Sequence, residues 1–279
     1  MQMKRVVSVQ DISCLGKCSL TVALPVISAM GVECAILPTA VLSTHTMFPD
    51  FTCCDLTEQL LPIARHWKRQ QVSFDAICTG YMASAAQIDD VCQVLELLKG
   101  ESTLVFVDPA MADQGKLYPP FDSDFPAAMA RLVKRADVVV PNLTEACLLT
   151  GESYKTVYDE AYIRVLLKKL TDLGAKKAAL TGVLFEEDKL GVMAYDPEED
   201  SYFSYFNQRI PAHFHGTGDL FSASCAGAMM NGKTLQESLA LAVDFTLECI
   251  RKTTENERAA WYGVEFERAI PYLLERIGR

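Results

Sequence analysis

Residues 103–107, Thr-Leu-Val-Phe-Val, form a continuous apolar run that stops at Asp108-Pro109. The same pattern recurs at 137–140, where Asp-Val-Val-Val is followed by Pro141. Apolar strands that alternate with helical segments are typical of a parallel sheet with both faces covered, because each β-α-β crossover places a helix on one face. These runs predict an α/β fold with a mostly parallel, doubly wound central sheet and right-handed crossovers.

Strands and helices are predicted to alternate along almost the whole chain. The last two strands flank residues 196–200, Asp-Pro-Glu-Glu-Asp, and have the pattern of an antiparallel hairpin at one edge of the sheet. No linker, repeat or change of composition marks a boundary, so we expect a single domain over 1–279. The predicted strands are 4–10, 34–37, 75–79, 103–107, 137–140, 178–181, 190–195 and 201–206, and the predicted helices lie near 17–30, 55–70, 84–99, 123–135, 143–150, 157–173, 217–231, 234–254 and 264–276.

Composition and charge exclude several classes of function. The chain has 279 residues, of which 50% are hydrophobic and 22% charged, and its net charge is -10. Nucleic-acid surfaces need clustered Lys and Arg, and a membrane span needs about 20 consecutive apolar residues, so neither partner is expected. The first apolar run is too short for a signal peptide, which predicts a cytoplasmic location. The ten cysteines lack paired C-x-x-C spacing and are predicted to be mostly small core side chains.

Polar or turn-forming residues follow nearly every predicted strand. In a parallel sheet the ligand binds beyond the carboxyl ends of the strands, so this shared position predicts a ligand site. Each residue also has a local explanation: Asp108-Pro109 is a common turn, and Asn142 with Glu145 matches a capping box. The residues in question are Gln10 to Ser13, Pro38 to Thr46, Thr79 to Tyr81, Asp108 to Asp113, Pro141 to Glu145 and Thr181-Gly182.

The sequence Phe214-His215-Gly216-Thr217-Gly218-Asp219 precedes a run of small and apolar residues that is typical of a helix. Two glycines let the backbone approach a ligand closely, and the first turn of a helix offers unpaired N–H groups. An anion site is therefore predicted here. Asp219 beside it would serve as the base for an attacking hydroxyl, although Thr217 or Asp219 could instead cap the helix.

Three carboxylates at the same end of the sheet suit Mg²⁺, bound directly or through water: Asp108, Asp113 and Glu145. Together with the anion site and the base, they predict phosphoryl transfer from a nucleoside triphosphate. The sequence contains neither a P-loop nor a Gly-x-Gly-x-x-Gly fingerprint after the first strand. This argues against a P-loop enzyme and against a Rossmann oxidoreductase.

The chain resembles the ribokinase-like kinases and, within them, the pyridoxal/pyridoxine/pyridoxamine (vitamin B6) kinases. The resemblance implies a three-layer α/β/α fold without a large lid domain. It also implies ATP-dependent phosphorylation of the 5′-hydroxyl of a B6 vitamer for pyridoxal 5′-phosphate salvage, a homodimer, Mg²⁺ and a monovalent cation, commonly K⁺. It rests on Ser8-Val9-Gln10, Leu42-Ser43-Thr44-His45-Thr46, Thr79-Gly80-Tyr81, Asp108-Pro109, Pro141-Asn142-x-x-Glu145 and Gly216-Thr217-Gly218-Asp219.

The resemblance also implies a role for each candidate residue. Asp219 is the base, and Gly216, Thr217 and Gly218 form the anion hole. The vitamer side of the site is implied to comprise Asp11, Ser43, His45, Thr46 and Tyr81. The nucleotide side is implied to comprise Asp108, Asp113, Tyr118, Asn142, Glu145, Thr181, Gly182 and Phe214, with Asp108 and Glu145 as candidate Mg²⁺ ligands.

Two positions depart from the family's pattern: Asp11 stands where the family usually has Ser, and Ala112 where it usually has Gly. A carboxylate beside the substrate ring would favour a protonated pyridine nitrogen or an amine, which predicts a preference for pyridoxamine. Alternatively, Asp11 caps the helical segment that follows and does not contact the substrate.

Three other functions stay open at this point. A hydroxymethylpyrimidine kinase of thiamine synthesis shares the Gly-Thr-Gly-Asp motif, but Tyr81 and the His45 motif argue against it. A sugar kinase would need a lid insertion that the sequence does not contain. A non-catalytic protein could bind a vitamer or nucleotide, but it would have no use for a base at Asp219.

Overall fold

The structure is a computed structural model that describes residues 3–119, 121–212 and 214–279. Most of its strands join one nine-stranded sheet in the order β11-β10-β9-β8-β5-β4-β1-β2-β3, and β6 and β7 form a separate small hairpin. The strands are β1 (Arg5–Ser13), β2 (Glu33–Leu42), β3 (Cys53–Asp55), β4 (Ala76–Thr79), β5 (Leu104–Val107), β6 (Ala112–Asp113), β7 (Lys116–Leu117), β8 (Val138–Val139), β9 (Lys177–Glu186), β10 (Lys189–Asp196) and β11 (Ser201–Gln208).

Six consecutive strands of this order, β9-β8-β5-β4-β1-β2, are parallel to one another. Strands β10 and β11 extend one edge as an antiparallel meander from β9, and β3 pairs antiparallel with β2 at the other edge. The prediction of a mostly parallel sheet with an edge hairpin is therefore confirmed. The added β3 strand was not predicted, because its three residues are exposed and show no apolar pattern.

Helices cover both faces of the sheet and complete the three-layer α/β/α arrangement. Side chains on successive positions of the central strands point to opposite faces: Val6 and Phe106 pack on one side, and Val7 and Val105 on the other. One face carries α2 (Thr57–Arg69), α3 (Ala85–Leu98), α4 (Phe125–Val133), α5 (Leu143–Thr150) and α6 (Glu160–Asp172), and the other carries α1 (Leu20–Ala29), α7 (Thr217–Met230), α8 (Leu235–Thr254) and α9 (Ile270–Ile277).

Several element boundaries differ from those predicted. Strand β1 continues through residues 11–13, and its register shifts between Gln10 and Ile12, so Asp11 lies at an irregularity inside the strand rather than after it. Strand β9 likewise continues past the predicted end at Thr181, through Gly182 to Glu186. The helix predicted at 264–276 is a short 3-10 helix, Phe266–Arg268, followed by α9.

Within the described part of the chain, no helix has both the length and the apolar character needed to cross a membrane.

Phe106 lies at the centre of the sheet and is fully buried in the core on the α1/α7 side. We expect Phe106→Ala to lower the free energy of unfolding by about 3–5 kcal/mol, because it removes apolar contacts and leaves a cavity. Urea denaturation followed by circular dichroism measures the loss. Val157→Ala is the control, because Val157 is 88% exposed; equal effects at the two positions would contradict the placement of the core.

Candidate active site

The amino end of α7 packs directly on the connection between β1 and α1. Gly216, the N-cap of α7, has φ 78°, and a Cβ at this position would lie 2.0 Å from the Lys17 carbonyl oxygen. Only glycine meets both conditions without strain. The Thr217 hydroxyl donates back to the Phe214 carbonyl at 3.3 Å instead of capping the first turn. The alternative in which Thr217 caps this helix is therefore wrong, and within the described part of the chain no side chain caps the first turn, whose N–H groups suit an anion.

Asp219 lies in the first turn of α7 and is half-buried. Desolvation, together with the charges of Asp108 and Asp11, raises the pKa of its carboxyl to about 7. The Ser19 backbone acts in the opposite direction and lowers this pKa. A carboxyl group with a pKa near neutrality is suited to accept a proton from a substrate hydroxyl.

Asp108 follows β5 and faces Asp219 across a small cavity that Ser8, Gln10 and Thr79 also line. The Ser222 hydroxyl donates to Asp108 Oδ2 at 2.7 Å, and burial raises the pKa of Asp108 to about 6. The carboxylates of buried Asp108 and half-buried Asp219 repel each other at one cavity, which makes the region attractive to a cation.

Glu145 and Asn142 form a complete capping box at the start of α5. Glu145 Oε2 accepts the Asn142 N–H at 2.9 Å, while Oε1 accepts the N–H of Met111 at 3.0 Å and lies 3.5 Å from that of Ala112. Burial and the charge of Asp108 raise the pKa of Glu145 well above its usual value. Glu145 therefore ties the loop after β5 to the amino end of α5.

Whether this region fits Mg²⁺ depends on which carboxylate oxygens already accept hydrogen bonds from the protein. Among the described residues, no three His, Cys, Asp or Glu side chains are arranged to hold a metal ion. Both oxygens of Glu145 are occupied by backbone donors, which disfavours direct coordination, whereas only Oδ2 of Asp108 is occupied, by Ser222. The residues fit an ion held by Asp108 and substrate phosphate oxygens, as is usual for Mg²⁺.

Tyr118 lies near several carboxylates of the candidate site. Its backbone N–H donates to the Met111 carbonyl at 2.8 Å. Burial raises the pKa of its hydroxyl, and the charges of four nearby carboxylates raise it further: Glu145, Asp113, Asp108 and Asp219. With Asn142, which bonds to Glu145 and to the Ala112 carbonyl, the structure thus brings five residues of the predicted nucleotide side close to Asp219: Asp108, Asp113, Tyr118, Asn142 and Glu145.

The remaining residues of that side lie along β8, β9 and the start of α7. Thr181 forms a backbone bridge with Asn142, and its hydroxyl lies 3.4 Å from the Pro141 carbonyl. Gly182 has φ 70° and open space where a side chain would point. Phe214 packs against the core on the α7 side of the sheet.

On the vitamer side, Tyr81 lies near Asp11. Burial raises the pKa of the Tyr81 hydroxyl to about 12, with further contributions from the charges of Asp11 and Cys53. Its ring centroid is 5.5 Å from that of Phe121, at an interplanar angle of 30°. Tyr81 thus presents a half-buried ring against which a flat substrate could stack.

The ring nitrogens of His45 are both engaged inside the protein. Nδ1 accepts the Met47 N–H at 3.2 Å, so Nε2 carries the proton that it donates to the Tyr262 carbonyl at 3.0 Å. Burial lowers the pKa of this histidine. Its ring packs edge-on against His215, with centroids 4.4 Å apart. His45 can therefore form a wall of the pocket, but its nitrogens are not free to bind a vitamer.

Ser43 and Thr46 are both exposed. The Ser43 hydroxyl accepts a hydrogen bond from the Thr52 N–H at 2.9 Å and so links the two ends of the loop between β2 and β3. The structure places these two residues on the loop that carries His45, at the rim of the site.

Sequence reasoning named Thr79 among the residues that follow the strands, but it missed Ser222 and Ser19 as members of the site. Ser222 could have been found, because it lies three residues after Asp219 and thus on the same face of α7. Ser19 carries no such signal. The cysteines follow the prediction: six of the ten are buried, and all are free.

The fold and the site together define a class of protein: an α/β phosphotransferase in which the first turn of a helix carries a half-buried carboxylate at a small cavity. The family model for phosphomethylpyrimidine kinase matches residues 24–262, and the chain belongs to this family.

Pyridoxal kinases are among its relatives. One similar structure comes from Bacteroides thetaiotaomicron; it is described as a putative phosphomethylpyrimidine kinase and was crystallised with pyridoxal. Its sequence is 36% identical to this chain, the TM-score is 0.92, and the match covers 98% of this chain and 96% of that one. The pyridoxal kinase of Lactobacillus plantarum is 34% identical with a TM-score of 0.90, over 98% of both chains. The pyridoxal kinase of Arabidopsis thaliana is 26% identical, over 92% of this chain and 85% of the relative. The chain is a ribokinase-like phosphotransferase of the pyridoxal kinase type.

We expect Gly216→Ala to destabilise the protein by about 1–3 kcal/mol, because alanine at this φ is strained and its Cβ meets backbone. Gly218→Ala is the matched control, since a Cβ there has no atom within 4 Å. Thermal unfolding of the two variants compares them. Equal melting temperatures would contradict the close approach of α7 to Lys17.

We expect Asp219→Asn to stabilise the protein at pH 8. The folded-state pKa near 7 exceeds the unfolded value, so the folded state loses stability as pH rises from about 4 to 7 and Asp219 ionises. Asparagine removes this cost, giving a gain of about 1–2 kcal/mol at pH 8 that vanishes near pH 4. Thermal melts at the two pH values measure it, with exposed Asp188→Asn as control. A gain that is the same at both pH values would be inconsistent with the raised pKa.

Proposed function

We propose that the protein phosphorylates the 5′-hydroxyl of a vitamin B6 vitamer with ATP as donor and Asp219 as general base. The observation that carries the proposal is the position of Asp219, a carboxyl with a pKa near 7 in the first turn of a helix that no side chain of the described residues caps. An anion-binding helix end next to a base is what transfer of a phosphoryl group to an alcohol needs.

In this mechanism Asp219 accepts the proton of the vitamer hydroxyl as its oxygen attacks the γ-phosphorus of ATP. The new O–P bond forms while the bond to the β-γ bridging oxygen breaks, and ADP leaves. The N–H groups at Gly216, Thr217 and Gly218 stabilise the charge on the transferred group. Mg²⁺, when bound, neutralises the phosphate charge, and Asp108 is the residue suited to hold it.

The other candidate residues would position the two substrates. Asp113 and Tyr118 lie on and beside the β6–β7 hairpin and would close over the nucleotide, with Thr181 near its phosphates. Glu145 would act through the loop that it holds rather than as a metal ligand. Tyr81 and His45 would form walls for the pyridine ring.

The vitamer preference is a separate question, because Asp11 is only 4% exposed and both its oxygens accept serine hydroxyls. These contacts support an internal role for Asp11 over contact with the substrate amine. A pyridoxamine preference, a K⁺ requirement, a homodimer and a cytoplasmic location stay predictions.

Phosphorylation of hydroxymethylpyrimidine is the second candidate, and the description of the matching family model favours it. The pyridoxal held by the relative from Bacteroides thetaiotaomicron favours the B6 vitamer instead. Binding without turnover is a third possibility, and the buried base argues against it.

The test measures MgATP turnover, with K⁺ present, on pyridoxal, pyridoxine, pyridoxamine and hydroxymethylpyrimidine. We expect at least one B6 vitamer to be phosphorylated, and Asp219→Asn to lower kcat by about 100-fold or more, in the range of a lost general base. Product identity is established by mass spectrometry.

The outcomes separate the candidates. Turnover of the pyrimidine alone would move the function to thiamine synthesis. Thermal stabilisation by a vitamer without any turnover would support a binding protein, since ligand binding raises apparent stability regardless of chemistry. A vitamer ranking unchanged in Asp11→Ser would remove the pyridoxamine hypothesis.

A further inference from the structure

The His45 ring lies where four segments of the chain meet, and the residue is only 3% exposed. It belongs to the loop between β2 and β3 and packs on Gly16 between β1 and α1, where a Cβ would lie 2.4 Å from His45 Cδ2. Its ring centroid is 4.4 Å from that of His215, just before α7, and 5.9 Å from that of Trp261, which follows α8. One buried side chain therefore contacts four segments that are far apart in the sequence.

Hydrogen bonds at both nitrogens fix the orientation of the His45 ring. The Met47 N–H donates to Nδ1, and Nε2 donates to the carbonyl of Tyr262, 217 residues further along the chain. A rotation of the ring would break both bonds, and a buried polar group without a partner costs about 1–3 kcal/mol. The ring is thus held in one orientation against Gly16 and His215.

His215 connects this ring to the candidate anion site, because it directly precedes Gly216, the N-cap of α7. Gly216 lies against Lys17, the residue after Gly16: a Cβ at position 216 would lie 2.0 Å from the Lys17 carbonyl oxygen. The start of α7 therefore has two supports. One is the Lys17 backbone, and the other is the His45 ring, which packs against His215.

The placement of this first turn matters for transfer of a phosphoryl group. Backbone N–H groups stabilise the developing charge only when they lie at hydrogen-bond distance from the oxygens that carry it. A misplacement of about 1 Å can lower the rate by about 100-fold. Because the effect arises in the transition state, a residue that holds these donors in place affects kcat more than the KM of the vitamer.

We propose that His45 is a positioning residue, which holds the anion site at the start of α7 in place beside the vitamer side of the pocket by packing on His215. This inference rests on the proposed function. It explains why a histidine at the pocket has both nitrogens engaged inside the protein: the flat ring packs on Gly16 and His215, and its two nitrogens bond to the backbone of two separate segments.

His45 and Phe48 give a matched pair of variants, since both rings belong to one loop and both pack against Trp261. His45→Ala removes the ring that packs on His215, whereas Phe48→Ala leaves that ring in place. We expect His45→Ala to lower kcat about 10-fold and to change the vitamer KM less than about 3-fold, as for misplaced transition-state contacts. Phe48→Ala should change kcat less than about 2-fold, because the contact with His215 is kept.

A glutamine at position 45 separates positioning from overall stability. His45→Gln keeps an N–H donor for the Tyr262 carbonyl but has no ring to pack on His215. We expect it to recover most of the melting temperature that His45→Ala loses, but little of kcat. A purely structural role of His45 would instead make kcat and the melting temperature recover together.

A double-mutant cycle tests whether His45 acts through His215. The variants are His45→Ala, His215→Ala and the combination of the two. If both residues act through one contact, the double variant should be about as slow as His45→Ala alone, because the contact is already lost. Losses in kcat that multiply would show that the two residues act independently.

Steady-state kinetics on a B6 vitamer with MgATP, with thermal melts to normalise for folded protein, decide among these outcomes. Multiplying losses in the cycle, or equal kcat losses in His45→Ala and Phe48→Ala, would overturn the positioning role. A raised vitamer KM with unchanged kcat in His45→Ala would also overturn it and would assign His45 to vitamer contact. Failure of the proposed function is distinct, because it would appear in the wild-type protein as a lack of turnover on every vitamer.

Discussion

The contact between Gly216 and the Lys17 carbonyl is the constraint on which the rest of the site depends. Because position 216 has no Cβ, the amino end of α7 can lie against the backbone that leads from β1 into α1. This brings α7 against the backbone of Lys17 and Cys18 and places Asp219 at the same cavity as Asp108. A side chain at 216 would push the amino end of α7, and Asp219 with it, away from this backbone.

A second constraint is the concentration of acids at one end of the sheet. Asp11, Asp108, Glu145 and Asp219 have raised pKa values, and burial is the first cause for each. Each acid has its own donors, from serine hydroxyls or backbone N–H groups. These bonds keep the acids ordered without cancelling their charge, so the region destabilises the protein at neutral pH while suiting it to bind a cation with a phosphorylated substrate.

Sequence patterns were sufficient to predict the fold, because a strand that is buried on both faces of the sheet is a continuous apolar run in the sequence. Phe106 and Val138 lie in continuous apolar runs, and these runs became central strands. Short elements such as β3 and the β6–β7 hairpin were missed, since they are stabilised by pairing with neighbours rather than by an apolar period. Strand ends were misplaced for the same reason: β1 continues past the polar Gln10 and Asp11 to Ser13, and β9 continues past Thr181 to Glu186.

The sequence by itself determined the layered α/β architecture and the edge of the sheet at which the candidate site residues lie. Apolar periodicity records burial, and the carboxyl ends of parallel strands must meet at one edge. Only the tertiary structure decided what each site residue can do. Glu145 has both oxygens occupied by backbone donors, His45 has both nitrogens engaged, and Asp11 bonds to Ser19, a partner eight residues away. Hydrogen-bond partners depend on the relative placement of loops, and no local sequence pattern records that placement.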